Sequence, residues 1–377
     1  MTKFHEIREL FPGAEKNIYL DTATSGLLPK NTYQIMEEHL RLRMEDGLII
    51  EKYWDKWSKV DELRSKVAKL INCIPEEVYF GISSSDMINA FSANIEIPEG
   101  KEILVPDISF PSTRNTWLAR EKDGAKVRYI KAVNSVVTTE SIIESIDDNT
   151  FAVSICSVEP SSGYFYDLKK IGEACRDKGV YFVVDSTQGL GAMKHDVKEM
   201  KIDVLIDSTY KWMSNIFGIG LGYIRKDILK DLTPSHIGWV GTNDRMKDFS
   251  NPLLNMSEEA KKFETGGLNW LGILGLDSSL DIVENLGKEN IESYILELTD
   301  YLYEKVEKTE GISFYPEINK ENRSCISYLK IDNPLTKEEF LERGVVLNVS
   351  GDKIRVGLHY YNNKKDVDAL ISVLETV

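Results

Sequence analysis

Lys211 and Asp185 are the side chains whose setting suggests chemistry. Lys211 lies in Asp207-Ser208-Thr209-Tyr210-Lys211-Trp212, directly after the apolar run Val204-Leu205-Ile206, and Asp185 closes an earlier apolar run, Val183-Val184. A desolvated amine at a strand end loses its proton more readily than in water and can attack a carbonyl to form a Schiff base. A carboxylate at a neighbouring strand end can pair with a protonated ring nitrogen and keep that ring electron-poor. Taken alone, a strand-end lysine more often snorkels to solvent, and an aspartate more often caps a turn. Here three segments occur together: Val183 through Gly191, Ser208 through Lys211, and the glycine-punctuated Gly218-Ile219-Gly220-Leu221-Gly222.

A third element points the same way. Gly81-Ile82-Ser83-Ser84-Ser85-Asp86 leads into Met87, Ile88 and Phe91 at helical spacing. The hydroxyls of Ser84 and Ser85 and the first free N–H groups of such a helix make an anion site, aided by the helix dipole. A serine N-cap alone would need the same residues, but beside Lys211 and Asp185 the phosphate role is the better explanation. A nucleophilic lysine, a ring-pairing aspartate and a phosphate nest together suit pyridoxal 5'-phosphate. Gly218-x-Gly220-x-Gly222 is not a dinucleotide loop, because it runs into a strand instead of opening a helix. The five histidines are isolated from one another, without HxH or HExxH spacing, so no metal is expected.

These residues need a scaffold that gathers strand ends. Short apolar runs (Glu102–Pro106, Phe151–Ile155, Tyr181–Val184, Val204–Ile206) alternate with amphipathic segments such as Asp167 to Gly179. That rhythm predicts an α/β fold with a mostly parallel sheet covered on both faces. In such a sheet ligands collect outside the carboxyl ends of the strands. After about Asn285 the pattern changes to a long helix (Asn290 to Lys308), short strands including Cys325–Leu329 and Lys353–Val356, and a last helix from Lys364 to Leu374. This reads as a small α+β domain. The expected division is a large domain over 18–260 and a small one made of 1–17 and 261–377.

Composition bounds the rest. The 377 residues carry 46 basic and 61 acidic side chains, a formal charge of −15, with no basic cluster to follow a phosphate backbone, so nucleic acid is not an expected partner. Cys73, Cys156, Cys175 and Cys325 are scattered without a CxxC pair, which fits a reducing cytoplasm. The charged start and the lack of a long apolar stretch predict a soluble protein without a membrane segment.

From Tyr19-Leu-Asp-Thr-Ala-Thr-Ser-Gly-Leu-Leu-Pro29 to Lys353-Ile-Arg-Val-Gly-Leu-His-Tyr-Tyr-Asn362 the chain resembles the class V aminotransferases. These are fold-type I pyridoxal phosphate enzymes that include cysteine desulfurases, cystine lyases, kynureninases and isopenicillin N epimerase. The resemblance implies a large sheet domain of the seven-stranded type with a small C-terminal domain. It implies that Lys211 is the Schiff-base lysine and proton shuttle, that Asp185 pairs with the pyridine nitrogen, and that Gln188 approaches the ring hydroxyl. Ser84, Ser85 and Ser208 would hold the phosphate, with Tyr210 in the place usually taken by a histidine and Phe110 stacked on the ring. Arg355 would grip the substrate α-carboxylate, a role suited to its planar fork. A homodimer is implied too, with Trp239–Thr242 and Lys262–Thr265 as partner-facing loops; Tyr53, Trp54 and Trp57 are expected in the core or at an interface, or bordering the cleft.

Departures from the family pattern restrict the function. The stretch between Gly344-Val-Val-Leu347 and Lys353-Ile-Arg355 is short and lacks the cysteine that desulfurases place in this region, and Cys325 falls in a predicted strand. That argues against a persulfide-forming desulfurase. Phe263-Glu-Thr-Gly-Gly267 ends in glycine where the family has a threonine that reaches the neighbouring subunit's phosphate; Thr265 is the candidate substitute. Pro160 stands where many members carry asparagine or tryptophan. The expected function is aminotransferase-type chemistry on a small amino acid. The alternatives are a C–S β-lyase, an amino-acid epimerase and a non-catalytic cofactor-binding protein. His359 is expected to pack or to line the cleft.

Overall fold

A computed structural model describes residues 2–47, 50–243 and 253–376, with side chains over 3–47, 57–243 and 253–376. The side chains of Tyr53 and Trp54 lie outside the described residues.

The N-terminal segment carries the two-residue strand β1 (Ile18–Tyr19), and the large sheet follows. Its strands are β2 (Val78–Gly81), β3 (Glu102–Pro106), β4 (Lys126–Ile130), β5 (Thr150–Cys156), β6 (Tyr181–Asp185), β7 (Val204–Asp207) and β8 (Gly220–Ile224). They lie side by side as β2-β8-β7-β6-β5-β3-β4, all parallel except the reversed β8. Alternation within each strand explains the unbroken apolar runs. Phe182, Val184 and Leu205 enter the core on one face, while Val183, Val204 and Ile206 enter the core on the other. Helices cover both faces, so both sets must be apolar.

The remaining strands β9 (Ile312–Phe314), β10 (Ile326–Ile331), β12 (Asn348–Ser350) and β13 (Lys353–Gly357) form an antiparallel sheet, while β11 (Val345–Val346) pairs in parallel with β1. The helix Lys288–Val306 and the last helix Lys364–Leu374 supply this sheet's separate core through Leu298, Leu302, Val367 and Leu370. The helix Trp270–Leu286 instead buries Ile273, Leu276 and Leu280 in the core of the large sheet. On packing we therefore propose a domain division at Gly287, later than the expected 260/261. The start of the chain joins both units: Phe11 and Ala14 enter the large core, and Arg8 pairs with Asp366 at 2.8 Å.

Two sequence features acquire structural tasks here. Glu264, inside Phe263-Glu-Thr-Gly-Gly267, is buried and takes both forks of Arg64 at 2.6 Å while also accepting the Phe80 N–H at 2.8 Å. The motif thus fastens its segment to β2. The glycines of β8 permit close packing: a Cβ on Gly222 would lie 2.3 Å from the Tyr79 ring and 2.6 Å from Met87, a residue of the helix Ser84–Ser92. Trp57 is buried edge-on to Trp239, with ring centroids 5.3 Å apart.

Candidate active site

β2, β3, β5, β6 and β7 all end at one edge of the large sheet, and reversed β8 begins there, with Gly81 opposite Gly220. Several strands deliver a site residue as the chain leaves them. From β2 it enters the helix Ser84–Ser92, whose N-cap Ser83 accepts the Asp86 N–H. From β3 it reaches Phe110 at the start of the helix Pro111–Leu118. β6 ends on Asp185, and β7 on Asp207 just ahead of Ser208.

Backbone donors stitch these ends together. The Ser84 N–H donates to Ser208 Oγ at 2.7 Å, the Ser208 N–H to Thr187 Oγ1 at 3.2 Å, and the Thr187 N–H to Asp185 Oδ1 at 2.9 Å. The last of these is an Asx turn, the local shape an aspartate sets two residues on. A cavity of about 330 Å³ opens above this chain, near the lower end of the ~300–1,000 Å³ usual for small-molecule sites. It is lined by Ser84, Ser85 and Phe110, by Asp185 and Gln188, and by Ser208, Tyr210 and Lys211. A larger cleft of about 1000 Å³, passing Tyr166, Lys170, Tyr315 and Asn322, contains neither Lys211 nor Asp185.

Lys211 is 8% exposed. Burial lowers its pKa below the ordinary lysine value; the Asp185 carboxylate opposes this and the Arg355 charge adds to it. The side chain is thus poised to shed a proton. Its Nζ lies 5.8 Å from the Phe110 ring centroid and 5.7 Å from that of Tyr210. Burial raises Asp185 above the ordinary aspartate value, against the Thr187 hydrogen bonds and the Lys211 charge. A cationic ring nitrogen placed against it would supply the partner that favours its ionised form.

The turn that carries Lys211 is tightly held. The Ser214 N–H donates to the Lys211 carbonyl at 3.1 Å, and Ser214 occupies the left-handed region at φ 49°. From the N-terminal side the Gly26 N–H donates to the Tyr210 carbonyl at 2.9 Å, and a Cβ on Gly26 would lie 2.0 Å from the Lys211 carbonyl oxygen. Gly26→Ala is therefore expected to push the lysine turn out of register and to destabilise the fold by ~1–3 kcal/mol. Thermal melts and cofactor affinity measured together check this: a variant that keeps both would contradict the packing argument.

Other expected residues settle as follows. Gln188 lines the cavity, but its amide is engaged, donating to the Ala23 carbonyl at 3.0 Å and accepting the Trp212 indole N–H at 3.1 Å. His359 packs: it is buried and stacked on Trp212, its Nε2–H donates to the Trp212 carbonyl at 3.0 Å, and burial drops its pKa to about 3. Thr265 is exposed and lines no part of the cavity. Arg355 also stands outside the lining, with Nη2 donating to Asp21 Oδ1 at 3.1 Å and to Thr24 Oγ1.

Sequence reasoning passed over Thr187 and Cys156, which also line the cavity. Thr187 had a readable signal, since it stands two residues beyond a strand-end aspartate. Cys156 had none in the linear sequence; it faces the site because β5 pairs it with Asp185 of β6. Burial holds the thiols of Cys156 and Cys325 well above the ordinary range. Among the described residues no cluster of His, Cys, Asp and Glu could hold a metal ion, and no helix is long and apolar enough to cross a membrane.

Similarity to known proteins agrees with this geometry. The family profile described as "Aminotransferase class-V" matches residues 18–370. A probable cysteine desulfurase of Methanothermobacter thermautotrophicus is 26% identical, over 99% of this chain and 97% of its own. An uncharacterized aminotransferase of Bacillus subtilis is 23% identical, over 96% and 95%. Among solved structures, the cystine C–S lyase C-DES bound to cysteine persulfide superposes with a TM-score of 0.88 at 19% identity, covering 97% of this chain and 99% of that one. An apo cysteine desulfurase from Thermococcus onnurineus gives 0.87 at 22% identity, covering 98% and 97%. The expected fold is thereby established, and the chain belongs to the class V aminotransferases, a family of pyridoxal-phosphate-dependent enzymes.

Proposed function

We propose that this enzyme acts at the α-carbon of a small amino acid, with aminotransferase-type turnover as the leading outcome. The observation that carries the reading is buried Lys211, its basicity lowered, in one cavity with Asp185 and the serine-rich helix start. When bound, pyridoxal phosphate supplies an electron-poor ring that can accept an electron pair from a substrate carbon. Lys211 would provide the amine for attachment and the base for the α-proton. Asp185 would pair with the ring nitrogen, the Ser84 and Ser85 end of the helix with Ser208 would hold the phosphate, and Phe110 would border the ring.

Arg355 would take the substrate carboxylate by exchanging it for Asp21. Arg355→Gln is expected to raise KM ~10–100-fold, the loss of a charge-assisted pair. It should also move Lys211 deprotonation to higher pH, because a charge that lowers the lysine pKa is gone. Steady-state kinetics and the pH dependence of the rate at which apo-protein captures pyridoxal phosphate test both; an unchanged KM would remove Arg355 from substrate binding.

A C–S β-lyase is the second reading. Burial raises the thiols of Cys73, Cys156, Cys175 and Cys325 above the ordinary range, which weighs against a protein-borne persulfide; β-elimination needs no such carrier. Adding alanine or cysteine to the holoenzyme without an acceptor separates the readings. Stoichiometric keto acid with conversion of the cofactor to its amine form supports transamination; continuous keto acid with ammonia supports the lyase. A homodimer is proposed as the working assembly, in keeping with the exposed apolar Leu40, Met44 and Phe217. Sedimentation at the mass of a single chain would overturn it.

A further inference from the structure

Glu159 has no part in the reading above, yet it is fully buried and immediately precedes Pro160, which lines the cavity. Its Oε2 accepts the Ser109 hydroxyl at 2.8 Å and the Tyr166 hydroxyl at 3.5 Å, while its Oε1 has no hydrogen-bond partner. Ser109 directly precedes Phe110, another lining residue of the same cavity. The Pro160 carbonyl accepts the Tyr328 hydroxyl at 2.6 Å, and Tyr328 stands opposite Arg355 in the β10–β13 register. One carboxyl therefore ties the Phe110 turn to the segment that leads across to the strand of Arg355.

We propose that Glu159 is a positioning residue which, by holding the Ser109 and Tyr166 hydroxyls on one carboxyl oxygen, clamps the Ser109–Phe110 turn to the Pro160 segment and so sets the cavity for the cofactor ring. The proposal rests on the pyridoxal phosphate reading of the cavity. The titratable groups facing Glu159 are Asp185, Cys156, Tyr166 and Tyr328, none of them a cation, and its remaining neighbours are the hydroxyls of Ser109 and Ser161. Burial, with Asp185 adding, raises its pKa from 4.5 to about 7. The Ser109 and Tyr166 hydroxyls, both donating to Oε2, oppose that rise. Hydroxyl donors hold an ionised oxygen at least as well as a neutral one, so the clamp stands in either protonation state.

The test titrates apo-protein with pyridoxal phosphate, following tryptophan fluorescence, for wild type, Glu159→Gln and Glu159→Ala. Glutamine keeps a neutral acceptor of the same length. Dividing the wild-type Kd by the Glu159→Gln Kd at each pH cancels the contribution of Lys211. That ratio is expected to stay within ~3-fold of unity at about pH 6 and at about pH 8, because glutamine keeps an oxygen for the Ser109 and Tyr166 hydroxyls. Alanine should bind weakly at both pH values.

Melting of the apo-protein gives a readout free of cofactor. A carboxyl whose pKa is raised in the folded state binds a proton that the unfolded chain releases, so wild-type stability should fall as pH rises from 4.5 to about 7. Glu159→Gln should not show that part of the fall. An alanine variant that binds like wild type, or a glutamine variant as weak as the alanine one, overturns the proposal alone. Wild-type protein that binds no pyridoxal phosphate at either pH overturns the cofactor reading, and this one with it.

Discussion

Lys211→Ala is expected to lower turnover ~10²–10⁴-fold, the usual worth of a positioned proton-transfer group, and to abolish covalent attachment of the cofactor. Lys211 lies in the cavity beside Asp185, at the end of a turn fixed by Ser214 and Gly26. Among the described residues no second lysine lines that cavity, so a neighbouring amine should not replace it. Lys211→Arg separates charge from nucleophilicity: it keeps a cation near Asp185 but stays protonated at all working pH values, so it should be as inactive as alanine. Borohydride reduction of the holoenzyme followed by peptide mass analysis checks attachment directly. A cofactor adduct on the 211 peptide of wild type and on no peptide of either variant is the expected result; an adduct that persists in Lys211→Ala would remove this lysine from the mechanism.

Asp185→Asn is expected to cost ~10²–10³ in kcat, the range found when one preorganised electrostatic group is deleted from an active site. Asparagine keeps an oxygen for the Thr187 N–H that Asp185 now accepts at 2.9 Å, so the stitching of β6 to β7 should survive. What disappears is the negative charge that favours a protonated ring nitrogen. The same substitution removes a contribution that raises the Lys211 pKa. Lys211 deprotonation should therefore move to lower pH in Asp185→Asn, opposite to its shift in Arg355→Gln. Activity falls although the lysine becomes a freer base. The pH dependence of the rate at which the two apo-variants capture pyridoxal phosphate, with kcat measured alongside, checks the pair of opposite shifts. Shifts of the same sign would contradict the placement of both charges around one amine.

Much of this was legible in the sequence for local reasons. Unbroken apolar runs marked Tyr181–Val184 and Val204–Ile206 as strands buried on both faces, and the aspartate after each run marked the functional edge. Capping chemistry announced the helix behind Ser83. The glycines at 220 and 222 told β8 from a dinucleotide loop, because the run that contains them continues as β-branched and aromatic strand.

Tertiary structure decided what depends on partners far apart in the chain. Arg355 was readable as a carboxylate binder, but its pairing with Asp21 across 334 positions follows from β13 lying against the N-terminal segment. Glu264 looked like part of a phosphate-contacting motif, and folding made it the buried counter-ion of Arg64. Cys156 and Glu159 carry no sequence signal; one faces the site through the pairing of β5 with β6, the other lies behind Pro160 against Ser109. Thr265 lies on the surface of the single chain, the place from which a contact to a neighbouring subunit would be made. A strand end or a cap is set by a few neighbouring residues, so its chemistry is written locally. Whether a buried carboxyl meets an arginine, a hydroxyl or another carboxyl is set by which strands lie side by side, and that order exists only once the chain has packed.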